Sequence, residues 1–290
     1  MTNPRFRFYA ATPTGAEPLE TPGGAAAVND VYDQLPLGVY SRLRTFHQVR
    51  FLGLEEHLDR TDRSLDLLGL QQRLDRAALR RSIHDALDHF DAPDAFVRFD
   101  VLREPASQLG TASSTLISLV PFEAVPAEYL RDGVGLGFTK LVRRHPRAKE
   151  ASWVQERGGE ESSRPEEYDR LLCSPEGRIL EGTSSNFYAV RDGVLRTAGH
   201  DVLEGVTKRF CLRLARQMGL PVEERALELS EIPLLTEAFL TSSSRGVVPV
   251  VRIGAEQLGA GRPGPWSARL LLAYDELAER EAVPAWPQPS

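Results

Sequence analysis

Cysteine, lysine and long apolar runs are all scarce in this chain of 290 residues. Only two cysteines occur, Cys173 and Cys211, which argues against a disulfide framework and favours a reducing cytoplasm. No apolar run reaches the length of a membrane span, and the first residues lack the apolar core of a signal peptide. The sequence therefore predicts a cytoplasmic protein without a metal-ligand cluster.

Charge and composition narrow the class of protein further. The net charge is −6, and both signs are mixed along the chain, which argues against broad binding to nucleic acid or to membranes. Apolar residues make up 41% and charged residues 26%, which is typical of a globular protein. A chain of this length predicts one large domain or two ordinary ones.

Hydrophobic periodicity predicts a mixture of long helices and many short strands. Helices are expected at 54–70, 74–90, 207–218 and about 267–280, and residues 12–29 read as a loop. The fold class is therefore α/β or α+β with two domains. We expect a smaller N-terminal domain at 1–120, a linker at 121–133 and a larger C-terminal domain at 134–290.

Lysine is rare in a chain that is rich in arginine. Lys140, Lys149 and Lys208 are the three lysines, and Lys149 lies in a stretch dominated by arginine. A lysine retained there suggests a task that arginine cannot perform, such as forming a Schiff base or giving up a proton near neutral pH. The alternative is an exposed charge in a basic loop. Lys140, in an apolar strand pattern, is the second candidate.

The segment Glu181–Asn186 carries the densest group of polar side chains in the sequence. An acid, a glycine, three hydroxyls and an amide precede the apolar run 187–190, which reads as a strand. Backbone and side chains converge there on one point. An ordinary hairpin connection is the alternative for Glu181 and its glycine taken alone.

This segment, placed 32 positions after Lys149, resembles the class IV aminotransferases, a family of pyridoxal-phosphate enzymes of fold type IV. The stretch from Arg143 or Arg144 through Pro146 to Lys149 is similar to the family's Arg-x-x-Pro-x-x-Lys pattern. The family includes branched-chain and D-amino-acid aminotransferases and aminodeoxychorismate lyase. The resemblance implies an α/β N-terminal domain, a C-terminal β-barrel-like domain with helices, and a homodimer.

The resemblance also assigns roles around the coenzyme pyridoxal 5'-phosphate. Lys149 would be the catalytic lysine that forms the Schiff base, and Glu181 would pair with the pyridine nitrogen. Ser185 and Asn186 would line the coenzyme. Arg60 ends a stretch similar to the family's Leu-x-x-His-Leu-x-Arg, in which the arginine grips the phosphate; otherwise it would be a solvated helix charge.

Two further segments offer donors for a phosphate. Val206 and Thr207 open a predicted helix, whose first N–H groups and hydroxyl suit an anion, although a plain threonine N-cap is the common alternative. Ser242 and Ser243 lie at the end of a predicted strand, a usual place for ligand contacts in α/β folds. By resemblance Ser243 would touch the phosphate, with Ser242 nearby.

Substrate contacts are the least specific part of the resemblance. Tyr40 is similar to the family's active-site tyrosine, and by strand alternation Arg42 and Arg44 share one face, where either could meet a carboxylate. The D-amino-acid members carry an Arg-x-His pair after a strand. Here residues 101–108 lack that pair and offer Arg103.

We therefore expect an enzyme that exchanges an amino group between an amino acid and a 2-keto acid. Aminodeoxychorismate lyase, which releases 4-aminobenzoate and pyruvate with the same apparatus, is the alternative. A non-catalytic protein on the same fold is a third reading. The sequence leaves the side chain and the stereochemistry of the substrate open.

Overall fold

The spacing of apolar residues and the turns between them set the bounds of the elements. A computed structural model describes residues 6–21, 25, 27–161 and 166–286. The helices are α1 (Val28–Tyr32), α2 (Leu54–Leu67), α3 (Arg76–Asp88), α4 (Ala127–Asp132), α5 (Ser152–Glu161), α6 (Val206–Gln217) and α7 (Pro265–Glu281). The strands are β1 (Arg7–Thr12), β2 (Gly15–Leu19), β3 (Gly38–Arg44), β4 (Arg50–Phe51), β5 (Ala95–Leu102), β6 (Thr115–Pro121), β7 (Val134–Phe138), β8 (Asp169–Cys173), β9 (Arg178–Gly182), β10 (Asn186–Arg191), β11 (Val194–Arg196), β12 (Val222–Glu223), β13 (Leu227–Glu228), β14 (Glu237–Ser242), β15 (Gly246–Ile253), β16 (Glu256–Gln257) and β17 (Val283–Pro284).

The chain divides into two compact units. The first unit comprises Met1–Glu123, Ala148–Gln155 and Ala278–Ser290, and the second comprises Ala124–Arg147 and Glu156–Leu277. The predicted division into 1–120 and 134–290 differs from this, because two later segments return to the first unit. Backbone hydrogen bonds to β3 hold one of them, and the pairing of β17 with β4 holds the other. The predicted linker, 121–133, contains α4 of the second unit.

An antiparallel sheet with two helices on one face forms the first unit. Its strand order is β2-β1-β6-β5-β3. On α2 and α3, Leu58 and Ile83 point towards the sheet, where they pack in one apolar cluster with Val97, Phe99 and Ile117. The other residue of each alternating pair on β5, such as Arg98, lies on the opposite face.

Residues 12–29 do not form the continuous loop that was predicted. Gly15–Leu19 forms β2, which pairs with β1 in register from Phe8 opposite Leu19 to Thr12 opposite Gly15. The segment contains Pro18 and lacks apolar alternation, so the neighbouring strand rather than its own pattern makes it a strand. Residues 22–24 and 26 of the predicted loop lie outside the described residues.

A closed sheet forms the centre of the second unit. The strands pair in the order β10-β14-β15-β7-β8-β9, and β9 pairs back to β10 through Glu181 opposite Asn186. The β15–β7 and β7–β8 pairs are parallel and the other pairs of this ring are antiparallel. Closure brings the end of β9 and the start of β10 together.

A helix with one apolar face packs against this sheet. Along α6, Phe210, Cys211 and Leu214 are buried, and the helix contacts β14. Among the described residues, no helix combines the length and the apolar character that a membrane crossing requires.

Candidate functional site

Glu181 lies at the end of β9, inside the second unit, and is only 3% exposed. Arg143 Nη1 donates to its Oε1 at 2.9 Å, and the two side chains form a buried ion pair. Its Oε2 accepts from Asn186 Nδ2 at 3.2 Å and from the Leu203 N–H at 3.1 Å. Charge-assisted hydrogen bonds of this kind fix a carboxylate in one orientation. Arg143 was noted in the sequence motif but was not predicted to contact Glu181.

Asn186 is the second member of this cluster. Its Nδ2 also donates to the Leu203 carbonyl at 2.9 Å, which ties the start of β10 to the loop before α6. A Cβ on Gly205 would overlap Asn186 Oδ1, so this close approach requires glycine. The predicted pair of Glu181 and Asn186 is therefore in direct contact.

The three hydroxyls between Glu181 and Asn186 are directed at a buried carboxylate that the sequence analysis did not single out. Asp169 accepts from Thr183 Oγ1 at 2.7 Å, from Ser184 Oγ at 3.0 Å and from Ser185 Oγ at 2.7 Å. The Thr183 N–H donates to it as well, at 3.0 Å. Ser185 thus donates its proton to Asp169, and a role in contacting the coenzyme stays a prediction.

The charge of Asp169 is stabilised where it lies. Burial alone would raise the pKa of this carboxyl group. The positive charge of Arg245 and the hydrogen bonds from Thr183 and Ser185 outweigh burial, so the pKa lies below its usual value. No signal local to residue 169 marked it, because its donors lie 14 to 16 positions later.

The N-terminus of α6 brings together two of the predicted phosphate ligands. Gly205 is the N-cap and gives no side-chain hydrogen bond to the first turn, which begins with Val206 and Thr207. Thr207 Oγ1 and Ser243 Oγ lie 3.2 Å apart. Ser242 Oγ is instead engaged by Arg245 Nε at 3.0 Å. The helix dipole and these hydroxyls make this a place suited to an anion.

Lys149 belongs to the first unit. Its carbonyl accepts from the Tyr40 N–H at 3.0 Å, and its own N–H donates to Ser64 Oγ at 3.1 Å, so the backbone is fixed beside β3. The ammonium Nζ lies over the Tyr40 ring, 4.6 Å from its centroid. Lys140, the second candidate, lies just beyond β7 and is exposed.

Arg60 is buried in the first unit and is not the solvated helix charge that was the alternative. It is 4% exposed, and its Nη2 donates to Ser41 Oγ at 2.9 Å. His57 Nδ1 lies 2.7 Å from the same Ser41 Oγ. Because the Ser41 oxygen accepts from Arg60, its proton is directed to His57 Nδ1, which makes Nδ1 the acceptor nitrogen of the ring.

Arg42 and Arg44 lie on the same face of β3 as Tyr40, as alternation predicts. The Arg42 guanidinium lies over Phe96 at 4.3 Å, and that of Arg44 lies over Phe122 at 4.0 Å. Arg103 is exposed. The predicted substrate roles of these residues stay predictions.

Arg98 is a further cation on this face that the sequence analysis missed. Its guanidinium lies between two rings, 3.7 Å from the centroid of Tyr32 and 4.3 Å from that of Tyr40. Both Nε and Nη2 donate to Asp100, at 2.9 Å and 2.6 Å for the closest oxygens. The alternation of Phe96, Arg98 and Asp100 along β5 was the available signal.

Comparison with known proteins identifies the family. The family model for amino-transferase class IV matches residues 38–253, which is most of the chain. The chain belongs to the class IV aminotransferases. The predicted family is confirmed, and a mixed α/β fold with a closed sheet is what the structure contains.

Relatives of the class IV chain carry aminotransferase names. It is 27% identical to the D-alanine aminotransferase of Bacillus licheniformis, over 86% of this chain and 90% of that one. It is 36% identical to a probable branched-chain-amino-acid aminotransferase of Thermotoga maritima over 110 residues, which span 37% of this chain and 40% of the relative. These names favour transamination over the lyase alternative.

A solved structure of the branched-chain aminotransferase of the archaeon Thermoproteus uzoniensis, with norvaline, has the same fold. It matches 97% of this chain and 99% of its own with a TM-score of 0.75 at 18% identity. A branched-chain amino acid aminotransferase of T.th. with pyridoxamine 5'-phosphate matches 97% of this chain and 98% of its own, with a TM-score of 0.80 at 20% identity. At this identity the likeness concerns the fold, and the predicted fold type IV is confirmed.

Proposed function

We propose that the chain transfers an amino group between an amino acid and a 2-keto acid, with pyridoxal 5'-phosphate as coenzyme. The observation that carries this proposal is Glu181, a buried carboxylate held by a guanidinium, an amide and a backbone N–H. Such a carboxylate is the group that keeps a pyridine nitrogen protonated. Membership of the class IV family supports the same coenzyme.

The donors at the N-terminus of α6 fit a phosphate group. Val206 and Thr207 open the helix without a side-chain cap, and Thr207 and Ser243 contribute adjacent hydroxyls. Backbone N–H groups at a helix N-terminus together with hydroxyls are the usual ligands of a dianionic phosphate. We assign these residues and Ser242 to the phosphate, and Arg60 by its family motif.

The residues of the chain divide the chemistry among them. When bound, pyridoxal phosphate supplies an electron-accepting ring that stabilises negative charge on the α-carbon of the amino acid. Lys149 provides the amine that attaches the coenzyme and then carries a proton at Nζ. The Tyr40 ring orients that amine through a cation–π contact. Glu181 holds the proton of the ring nitrogen, and Arg143 holds Glu181.

We assign the carboxylate of the substrate to the polar face of β3. Stacking on Phe96 and Phe122 fixes the guanidinium planes of Arg42 and Arg44, which pre-organises their donors. Tyr40 and Arg103 complete the proposed set. The relatives are named for branched-chain amino acids and for D-alanine, so both substrate classes belong in the test.

The first experiment is a substrate screen. L- and D-amino acids are combined with several 2-keto acids, and the absorbance of the coenzyme is followed in each half-reaction. Amino-group exchange that requires both partners supports the proposal. Release of pyruvate from aminodeoxychorismate without any keto acid would favour the lyase alternative instead.

A second experiment locates the attachment of the coenzyme. Borohydride reduction of the loaded protein and peptide mass spectrometry are expected to place the label on Lys149. The Lys149→Ala variant should lose the yellow, reducible adduct, and Lys140→Ala is the matched control that should keep it. A label on Lys140 or Lys208 would contradict the assignment.

We also propose a cytoplasmic homodimer. The class IV resemblance implies the dimer, and the thiols of Cys173 and Cys211, both free, suit a reducing compartment. Sedimentation of the purified protein tests the dimer, and fractionation of the source cells tests the location.

A further inference from the structure

Arg245 joins two turns of the second unit. Its Nη2 donates to Ser184 Oγ at 2.8 Å and to the Ser184 carbonyl at 3.1 Å, on the turn between β9 and β10. Its Nε donates to Ser242 Oγ at 3.0 Å, at the end of β14. Nη2 also lies 3.8 Å from Asp169 Oδ2. One planar guanidinium therefore bridges the turn that follows Glu181 and the turn that holds Ser243.

Asp169 fixes the first of these turns from the opposite side. Its side chain is 2% exposed, and its two oxygens accept every hydroxyl of Thr183, Ser184 and Ser185. The packing is tight, since a Cβ on Gly182 would lie 2.8 Å from Asp169 Oδ2. A buried carboxylate with this many donors leaves the turn one arrangement.

We propose that Asp169 and Arg245 are positioning residues that set the placement of Glu181 relative to Ser243. The turn Thr183–Ser185 is the direct continuation of the strand that ends in Glu181. Arg245 ties this turn to the one that presents Ser243. Because those two residues are assigned to the ring nitrogen and to the phosphate of one coenzyme, this inference rests on the proposed function.

The test compares Asp169→Asn and Arg245→Lys with the wild-type full chain. Asparagine keeps the shape of the side chain but places an NH₂ group among donors, and lysine keeps the charge of Arg245 but loses the fork. Binding of pyridoxal phosphate to the coenzyme-free protein is measured by fluorescence titration. The absorption spectrum of the bound coenzyme is recorded against pH, because it reports the contact between Glu181 and the ring.

We expect both variants to bind the coenzyme roughly 10 to 100-fold more weakly, the size seen for outer-shell changes at metal sites. The spectral transition of the bound coenzyme should also move to a different pH. Glu237→Gln is the matched control, because Glu237 is a buried carboxylate that accepts from the Trp266 and Ser267 N–H groups, at the start of α7. It is expected to lower stability without moving the spectrum.

The outcomes separate this inference from the proposed function. If the wild type fails to bind pyridoxal phosphate, the proposed function is wrong. If the wild type binds it and both variants bind equally well with an unchanged spectrum, the positioning role is wrong. Ser184→Ala serves if Asp169→Asn does not fold, since Ser184 Oγ touches both Asp169 and Arg245. An unchanged affinity and spectrum in that variant would likewise overturn the inference.

Discussion

Replacing Glu231 with glutamine should destabilise the second unit in a pH-dependent way. Glu231 accepts from the Glu228 N–H at 2.8 Å and from Arg225 Nη2 at 3.2 Å, and it also pairs with Arg191. Burial raises the pKa of Glu231, but the hydrogen bonds from Arg225 and Glu228 outweigh it. The net effect lowers the pKa from 4.5 to about 2.

The magnitude follows from proton linkage. Each pKa unit corresponds to about 1.4 kcal/mol, so the ionised side chain contributes up to about 3 kcal/mol to the free energy of unfolding at pH 7. Because the folded-state pKa is depressed, this contribution is complete above pH 4.5 and is lost as the pH falls towards 2. We expect Glu231→Gln to lose about 2 to 3 kcal/mol at pH 7, since glutamine leaves the arginine charges uncompensated.

The assay is urea denaturation followed by circular dichroism at several pH values between 3 and 7. The difference between wild type and Glu231→Gln should shrink as the pH falls below 4.5. Glu228→Gln is the matched control, because Glu228 lies on the same turn with an exposed side chain. Equal stability of Glu231→Gln and wild type at pH 7, or a difference independent of pH, would refute the reasoning.

Three shorter predictions concern glycine and cysteine. Gly205→Ala should weaken coenzyme binding about tenfold in a fluorescence titration, because its Cβ would displace Asn186 from Glu181; unchanged binding would contradict the proposed site. Gly38→Ala should cost about 1 to 3 kcal/mol in thermal denaturation, since its Cβ would overlap the carbonyl of Val101. Burial raises the pKa of the Cys211 thiol, so the native protein should not react with a disulfide reagent at that position at pH 8, as peptide mapping can show.

Local patterns were sufficient where an element depends on its own residues. The apolar spacing along α6 predicted a helix at 207–218, and the structure has Val206–Gln217. The helix that begins at Leu54 and the turn after β9 were readable in the same way. Motif spacing also singled out Glu181 and Asn186, which the structure brings into contact through a single hydrogen bond.

Long-range pairing decided what the local patterns missed. β2 exists because β1 supplies its hydrogen-bond partners, and residues 148–155 join the first unit because β3 has an edge to pair with. Asp169 is marked only by donors far along the chain. Arg245 is marked only by Ser184, 61 positions earlier.

The sequence by itself determined the kinds of groups present: a lysine among arginines, a conspicuous acid, hydroxyl-rich turns and an amphipathic helix with an uncapped start. These follow from residue type and short spacing, which act within a few residues of each other. Only the tertiary structure decided which groups hold which. Closure of the sheet placed Arg143 on Glu181 and the three hydroxyls on Asp169, and such contacts form between residues that no local periodicity connects.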